Sequence, residues 1–255
     1  MLLAVDVGNT QTAVGLFAPD ELAGSWRLAT DVGKTGDEIA ALLDELLRLD
    51  GFLRDAVTGM AVSSVVPRLS KEYAAMATKR FGVEALLIGP GVKTGMPILT
   101  NDPRQVGPDL IVDAVAAYEG HGGPCIAVDF GTATTFSAVS ATGEYLGHAI
   151  APGIEVSLDA LATRAARLMN VELIDPGTVI GKNTVLAMQA GAIYGFAGQV
   201  DGIVGRMREE LGSKAVTVAT GGLASLIFDH SPSLDVLDPL LTLRGLEIIH
   251  RRNSG

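Results

Sequence analysis

The chain is poor in cysteine, in aromatic residues and in positive charge. Cys125 is the only cysteine among 255 residues, which rules out an internal disulfide and argues against a cysteine-ligated metal site. Lys and Arg number 19 against 29 Asp and Glu, for a net charge of −10. A surface that neutralises nucleic-acid phosphates needs a basic stripe, so the charge balance argues against a nucleic-acid partner.

Several familiar signatures are also missing. Residues 1–5 form too short an apolar run for a signal peptide, and no longer run predicts a membrane span, so we expect a cytoplasmic protein with no membrane partner. Gly33-Lys34-Thr35 resembles the end of a P-loop, but the glycine that the pattern requires five residues earlier is Leu28. The four histidines lack the spacing of a zinc site, and neither a dinucleotide fingerprint nor a nucleophile elbow is present.

One loop pattern, by contrast, occurs twice in the sequence. Residues 4–8 read Ala-Val-Asp-Val-Gly and residues 127–131 read Ala-Val-Asp-Phe-Gly, and small hydroxyl-bearing residues follow each. A buried strand that ends in a carboxylate and a glycine turn suits a phosphate group and its cation, because the turn amides can donate to phosphate oxygens. The repetition predicts a duplicated fold with two half-sites, although each copy taken alone could be an ordinary hairpin turn.

The order of predicted elements supports two similar α/β lobes. Hairpins are expected at 2–17 and from residue 125 onward, with a further strand at 59–67 that ends at a proline. Helices are expected after Asp37 as N-cap, after Ser70, from Pro108 to Tyr118, over 184–211 and over 240–251. We place the two domains at 1–115 and 116–255, with the active site in the cleft between the lobes.

Two further features lie outside the repeated loop. Asp109 occupies the first turn of a predicted helix, directly after a flexible stretch at 89–107 that we expect to contact substrate. An oriented carboxylate at that place suits a general base, and a simple helix-terminal acid is the alternative. Five glycines recur at intervals of four and three over 191–205, which predicts close helix packing within a lobe or across a dimer.

Taken together, the motifs resemble those of the type III pantothenate kinases, in the superfamily of acetate and sugar kinases, Hsc70 and actin. The resemblance rests on 6–10, 106–109, 129–135, 151–154, 181–184 and 220–222, in order along nearly the whole chain. It implies an actin-like (ribonuclease H-like) fold and ATP-dependent phosphorylation of the pantothenate 4′-hydroxyl, the first committed step toward coenzyme A. It also implies a homodimer.

The resemblance further implies roles for individual residues. Asp109 would be the general base, Asp6 would lie near the Mg²⁺ that accompanies ATP, and Asp129 would bind an activating monovalent cation, K⁺ or NH₄⁺. The ATP contacts would come from Asp6, Val7, Gly8, Asn9, Thr10, Gln11, Thr12, Ala13 and Thr132. The pantothenate contacts would come from Thr100, Gly107, Pro108, Asp109, Leu110 and Thr184.

Some positions depart from the family pattern around the expected base. The family usually has Arg where this chain has Leu110, and often Tyr where it has Thr100, so a guanidinium that could hold an anion is missing. Arg104 could substitute for it. Two alternatives therefore stay open: a degenerate homologue that binds ligand and acts as a regulator, and a kinase of the same fold for another small hydroxylated acceptor.

Overall fold

A computed structural model describes residues 1–19, 21–165, 168–212 and 215–254. The chain divides into two compact units, the first made of Met1–Met96, Asn101–Ala116 and Leu241–Gly255, and the second of Pro97–Thr100 and Ala117–Leu240. One division, at 116/117, lies a residue from the expected boundary. The closing segment, however, was expected in the second lobe and belongs to the first unit.

Each unit is built on a five-stranded sheet with the same strand pattern, as expected for two related α/β lobes. The strands are β1 Leu2–Val7, β2 Gln11–Ala18, β3 Glu21–Ala29, β4 Gly59–Ser64, β5 Ala85–Leu87, β6 Cys125–Phe130, β7 Ala133–Val139, β8 Tyr145–Pro152, β9 Val216–Thr220 and β10 Val236–Leu237. The helices are α1 Gly36–Leu49, α2 Pro67–Met76, α3 Pro108–His121, α4 Ile154–Arg164, α5 Thr184–Leu211, α6 Ala224–Phe228 and α7 Leu241–Asn253. Among the described residues, no helix has both the length and the apolar character needed to cross a membrane.

The sheet of the first unit has the order β3-β2-β1-β4-β5, with β1 antiparallel to β2 and parallel to β4. Because side chains alternate along a strand, Val5 and Val7 face one side, where they form a buried core with Leu43 of α1 and Leu69 of α2. The other face of β1 carries Leu2, Ala4 and Asp6.

Small residues on that other face allow α7 to pack closely. A side chain at Gly15 would lie 3.1 Å from Leu243, and one at Gly59 would lie 2.8 Å from the His250 ring. The apolar face of α7 is thereby buried, with Leu246 and Ile249 inaccessible to solvent. This packing explains why the closing helix belongs to the first unit.

The second unit repeats the arrangement with the order β10-β9-β6-β7-β8. Again the central strand is antiparallel to its hairpin partner β7 and parallel to the crossover strand β9. Val128 and Phe130 of β6 are buried against Ile193 and Val200 of α5. Asp129 lies between these two core residues in sequence and therefore faces the opposite side of the sheet.

Most of the expected elements are present, with shifted starts for two helices. The bounds of α5 agree with the expected 184–211. Helix α1 begins at Gly36, because Thr35, and not Asp37, caps it in a reciprocal box with Glu38. Helix α2 begins at Pro67, three residues before the expected Ser70, and proline suits this first position because it lacks an N–H to satisfy.

Candidate functional site

The turn between β1 and β2 exposes polar groups at the end of a buried strand. The Gly8 N–H donates to the Gln11 carbonyl at 3.0 Å, which closes the turn, and a side chain at Gly8 would lie 2.9 Å from that oxygen. Asn9, Thr10 and Gln11 are exposed, whereas Val7 is buried and can offer a ligand only its main chain. The turn therefore presents amides and short polar side chains, as a phosphate site requires.

A network of buried hydroxyl groups lies on the protein side of this turn, and one of its residues is hydrogen-bonded to the turn. The Thr12 side chain is 3% exposed, and its Oγ1 lies 2.9 Å from Oγ1 of Thr30. The Thr30 N–H in turn donates to the Thr10 carbonyl at 2.9 Å. Burial raises the pKa of Tyr73, from α2, to about 12, and its hydrogen bond with Thr12 opposes that rise. Thr12, expected to contact ATP, thus has its hydroxyl directed to Thr30 and Tyr73 beneath the turn.

Asp6 and Asp109 form a pair of interacting carboxylates in the first unit. Burial first, and then the charge of Asp109, raise the pKa of Asp6 to about 7, with the hydroxyl of Ser63 opposing part of the rise. Ser63 lies opposite Asp6 in the β1–β4 register and is fully buried. The Ser63 hydroxyl makes no hydrogen bond of standard geometry to the described residues. It lowers the pKa of Asp6 because it lies close to the carboxylate.

The start of α3 fixes the position of the Asp109 carboxylate. A side chain at Gly107 would collide with this carboxylate, so the acid lies over the glycine that precedes the helix. The residues that follow, 110–117, are all buried, and Leu110 is only 6% exposed. Leu110 therefore contributes packing at the place where the family usually has a charged side chain. Asp113, one turn later, is also buried.

The stretch before Asp109 contains an unused polar group. The Thr100 hydroxyl is buried and makes no hydrogen bond to any residue that the structure describes. Arg104 pairs with Asp102 at 3.1 Å, and its side chain is 80% exposed. Its guanidinium is thus held by a carboxylate two residues away, which does not support the suggestion that it replaces the missing family arginine.

In the second unit, Asp129 lies in a narrow glycine-lined site. Its carboxylate lies close to Gly131 on one side and to Gly221 on the other. Gly221 has a φ of 96°, in the region that other residues avoid, and any side chain there would collide with the Asp129 carboxylate and with Phe130. The segments at 129–131 and 220–222, distant in sequence, therefore meet at this acid.

The turn between β6 and β7, which we call the second turn, is also contacted by the start of α4. The Gly153 N–H donates to the Thr132 carbonyl at 3.1 Å, and a side chain at Gly153 would collide with the carbonyls of Gly131 and Thr132. Thr132 itself is exposed at the tip of the turn. The 151–154 motif is thus explained, because it brings a helix N-terminus to the second turn.

Thr184 is the first residue of α5 and is exposed. The Asn183 side chain caps this helix by accepting a hydrogen bond from the Leu186 N–H at 2.9 Å. Thr184 lines a cavity of about 680 Å³ together with Lys182, Asn183 and mainly apolar residues of α4 and α5. The structure gives Thr184 a position at a ligand-sized cavity of the second unit.

The acid pair fits a divalent cation that is shared with a phosphate substrate. Two ionised carboxylates held close together in a protected site repel one another, and a cation would offset that repulsion. Within the described parts of the chain, no three His, Cys, Asp or Glu side chains come together as a metal site. Mg²⁺ suits such a site, because it usually keeps several waters and binds one or two carboxylates plus substrate phosphates.

Both glycine turns and the place of Asp109 at the start of α3 were expected from the sequence, whereas most of the residues that contact them were not. Ser63, Thr30 and Tyr73 were not expected to take part, and Gly153 was expected only as part of the 151–154 motif. Ser63 could have been found, because a serine within the apolar run 59–66 interrupts an otherwise buried strand. Thr30 and Tyr73 carry no local signal, since their role depends on which strand and helix lie beneath the turn.

Comparison with known proteins gives a consistent picture. A family model described as type III pantothenate kinase matches residues 2–206. A type III pantothenate kinase of Moorella thermoacetica is 55% identical over 254 residues and covers 100% of both chains. One of Acidothermus cellulolyticus is 50% identical, with 99% of each chain covered. Among solved structures, the activator of 2-hydroxyisocaproyl-CoA dehydratase of Clostridium difficile has a TM-score of 0.54 at 12% identity, covering 100% of this chain and 97% of that one, which supports the actin-like fold alone.

Proposed function

The chain belongs to the type III pantothenate kinase family, and we propose that it transfers the γ-phosphoryl group of ATP to the 4′-hydroxyl of pantothenate. The product, 4′-phosphopantothenate, begins the route to coenzyme A. The observation that carries the proposal is the acid pair Asp6–Asp109 beside the turn at 8–11. The turn would bind phosphate, Asp6 would bind the cation, and Asp109 would be the base, all within one unit.

The first turn would hold the triphosphate. The amides and exposed side chains of Asn9, Thr10 and Gln11 would donate to phosphate oxygens, with the main chain of Val7, Gly8 and Ala13 nearby. Asp6 would hold Mg²⁺, and the ion would neutralise charge that develops on the transferred group. Thr12 would contribute indirectly, because its hydroxyl is bonded to Thr30. Thr132, exposed on the turn between β6 and β7, is a further candidate for contact with ATP.

Asp109 would act as the general base. Its carboxylate would orient the 4′-hydroxyl and accept its proton while the oxygen attacks the γ-phosphorus and ADP departs. Gly107 and Pro108 would place the acceptor against this acid. Thr100, whose buried hydroxyl makes no hydrogen bond to the described residues, is a separate candidate for contact with the acceptor. Leu110 would supply an apolar contact at most, since it is buried. Thr184, at the cavity of the second unit, is a further candidate for the acceptor.

Asp129 would bind the monovalent cation, K⁺ or NH₄⁺. Its carboxylate is a hard oxygen donor, and the glycines around it let main-chain atoms approach closely. A bound cation there would add positive charge beside the turn that carries Thr132. We expect wild-type turnover in K⁺ to exceed that in Na⁺, and Asp129→Asn to abolish this difference.

The family's dimer would form on the glycine face of α5. Side chains built at Gly191, Gly195, Gly198 and Gly205 would meet no described atom within 4 Å, so these four positions are open. The close packing expected for these glycines is therefore available to a second copy. Gly198→Arg should turn a dimer into a monomer by light scattering, whereas Gly120→Arg, on an open part of α3, should leave it unchanged.

The deciding experiment is an ADP-release assay with and without pantothenate. We expect turnover that depends on pantothenate, and Asp109→Asn should fold normally yet lose about 10²-fold or more of kcat. Glu119→Gln, on the same helix, serves as a matched control and should keep its activity. Thermal stabilisation by ligand without turnover would instead indicate a regulator, and preference for another hydroxylated compound would indicate a different acceptor.

A further inference from the structure

The end of α7 is bonded to a segment that lies 160 residues earlier in the chain. Asn253 accepts a hydrogen bond from the Lys93 N–H at 3.1 Å through Oδ1 and donates to the Lys93 carbonyl at 3.0 Å through Nδ2. Nδ2 also donates to the Ile249 carbonyl of its own helix at 2.8 Å. One side chain thus satisfies both main-chain groups of Lys93 and ties them to the helix.

Arg252 makes a second contact one residue further along. Its guanidinium donates to the Thr94 carbonyl and covers Gly95. A side chain at Gly95 would lie 2.7 Å from Nη1 of Arg252, and the residue has a φ of 73°, so only glycine fits without strain. Next to it, Thr94 Oγ1 donates to the Met96 carbonyl at 3.2 Å, and Met96 is buried. We call residues 93–96, held by Arg252 and Asn253, the clamped segment.

The chain beyond the clamped segment is held as well. The Tyr145 N–H donates to the Pro97 carbonyl, and the Leu99 N–H donates to the Tyr145 carbonyl, each at 2.8 Å. The stretch at 89–107 was expected to be a flexible substrate loop. Its path from Lys93 to Leu99 is instead set by hydrogen bonds to α7 and to Tyr145. Thr100, with its buried unbonded hydroxyl, follows immediately.

We propose that Arg252 and Asn253 are positioning residues for the acceptor. They fix the main chain of the clamped segment, which continues through residues 97–99 to Thr100, a residue that we expect to contact the acceptor. The proposal rests on the proposed function. The neighbouring Arg251 behaves differently, since it pairs with Glu247 on its own helix at 3.2 Å and is exposed. The last turn of α7 thus provides a matched control.

The test uses Asn253→Ala, Arg252→Ala and, from the other side of the contact, Gly95→Ala, with Arg251→Ala as control. Loss of a hydrogen bond to the clamped segment should raise KM for pantothenate about fivefold or more, while KM for ATP stays within about twofold of wild type. Arg252→Lys keeps a cation at this position and should recover part of the loss. A purely structural role would not separate the two KM values.

Limited trypsin digestion gives a readout that does not depend on activity. Lys93 is exposed, but a protease must draw its main chain into an extended conformation, which the two bonds to Asn253 oppose. Asn253→Ala should therefore speed cleavage after Lys93 severalfold, and Arg251→Ala should not. Faster cleavage with an unchanged KM for pantothenate would overturn the positioning role, as would unchanged cleavage. Absence of pantothenate turnover in the wild-type protein would instead refute the proposed function itself.

Discussion

Replacing Asp6 with asparagine should stabilise the ligand-free protein and abolish its turnover. Burial and the charge of Asp109 raise the pKa of Asp6 from 3.8 to about 7. At about 1.4 kcal/mol for each pKa unit, this rise corresponds to about 4 kcal/mol of unfavourable free energy once the acid is ionised in the folded state. An asparagine avoids the charge but is still a partly buried amide, so we expect a gain of about 2–4 kcal/mol above pH 7.

The size of this effect depends on pH in a defined way. Between about pH 4 and pH 7 the folded protein holds a proton at Asp6 that the unfolded chain has released, so the contribution of Asp6 to stability is lost as pH rises through this window. The difference in unfolding free energy between Asp6→Asn and wild type should therefore grow from about pH 4 to about pH 7 and stay constant above it.

Urea unfolding at several pH values, without Mg²⁺ or ATP, measures this difference. Asp55→Asn is the control, because the Asp55 side chain is 95% exposed and should show no comparable gain. Addition of Mg²⁺ and ATP should stabilise wild type more than the variant, since the cation needs the carboxylate. A variant that is no more stable than wild type at pH 8 would refute the argument that Asp6 is held in an unfavourable charged state.

Two further predictions concern the first unit. Tyr73→Phe removes a hydroxyl bonded to Thr12 and should raise KM for ATP about fivefold, from the loss of about 1 kcal/mol, with KM for pantothenate unchanged. If the variant and the wild type have the same KM for ATP, the hydroxyl network does not support the turn. Burial lowers the pKa of His250, so its contribution to stability is present above the unfolded value of about 6.5 and is lost as pH falls through the folded value. Unfolding of His250→Gln should therefore be less sensitive to pH below about 6.5, and a pH profile identical to that of wild type would contradict this.

Features encoded by local pattern were predictable from the sequence. Both hairpins, the glycine turns after Asp6 and Asp129, and the bounds of α5 follow from alternation, from turn residues and from helical periodicity. The position of Asp109 in the first turn of α3 follows in the same way, because Pro108 marks the start of that helix.

Features that depend on tertiary packing were not predictable. The apolar face of α7 identifies an amphipathic helix, but nothing in it tells which of two similar sheets it covers. The stretch at 89–107 looks flexible because it lacks periodicity, yet Asn253 and Arg252 hold its middle from a distant part of the chain. Likewise, the support of Thr12 by Thr30 and Tyr73 depends on elements brought together only by the fold.

The discontinuous make-up of the first unit has a consequence for synthesis on the ribosome. Its sheet and α1 and α2 are translated early, but Leu246 and Ile249, which cover the small-residue face, belong to α7 and emerge after the entire second unit. Until then the nascent chain exposes one face of a formed sheet, whereas the second unit is almost continuous and can fold as soon as β10 is released. The part of the protein made first should thus be the last to acquire its native stability. We expect chaperones to bind its exposed sheet face until α7 is released.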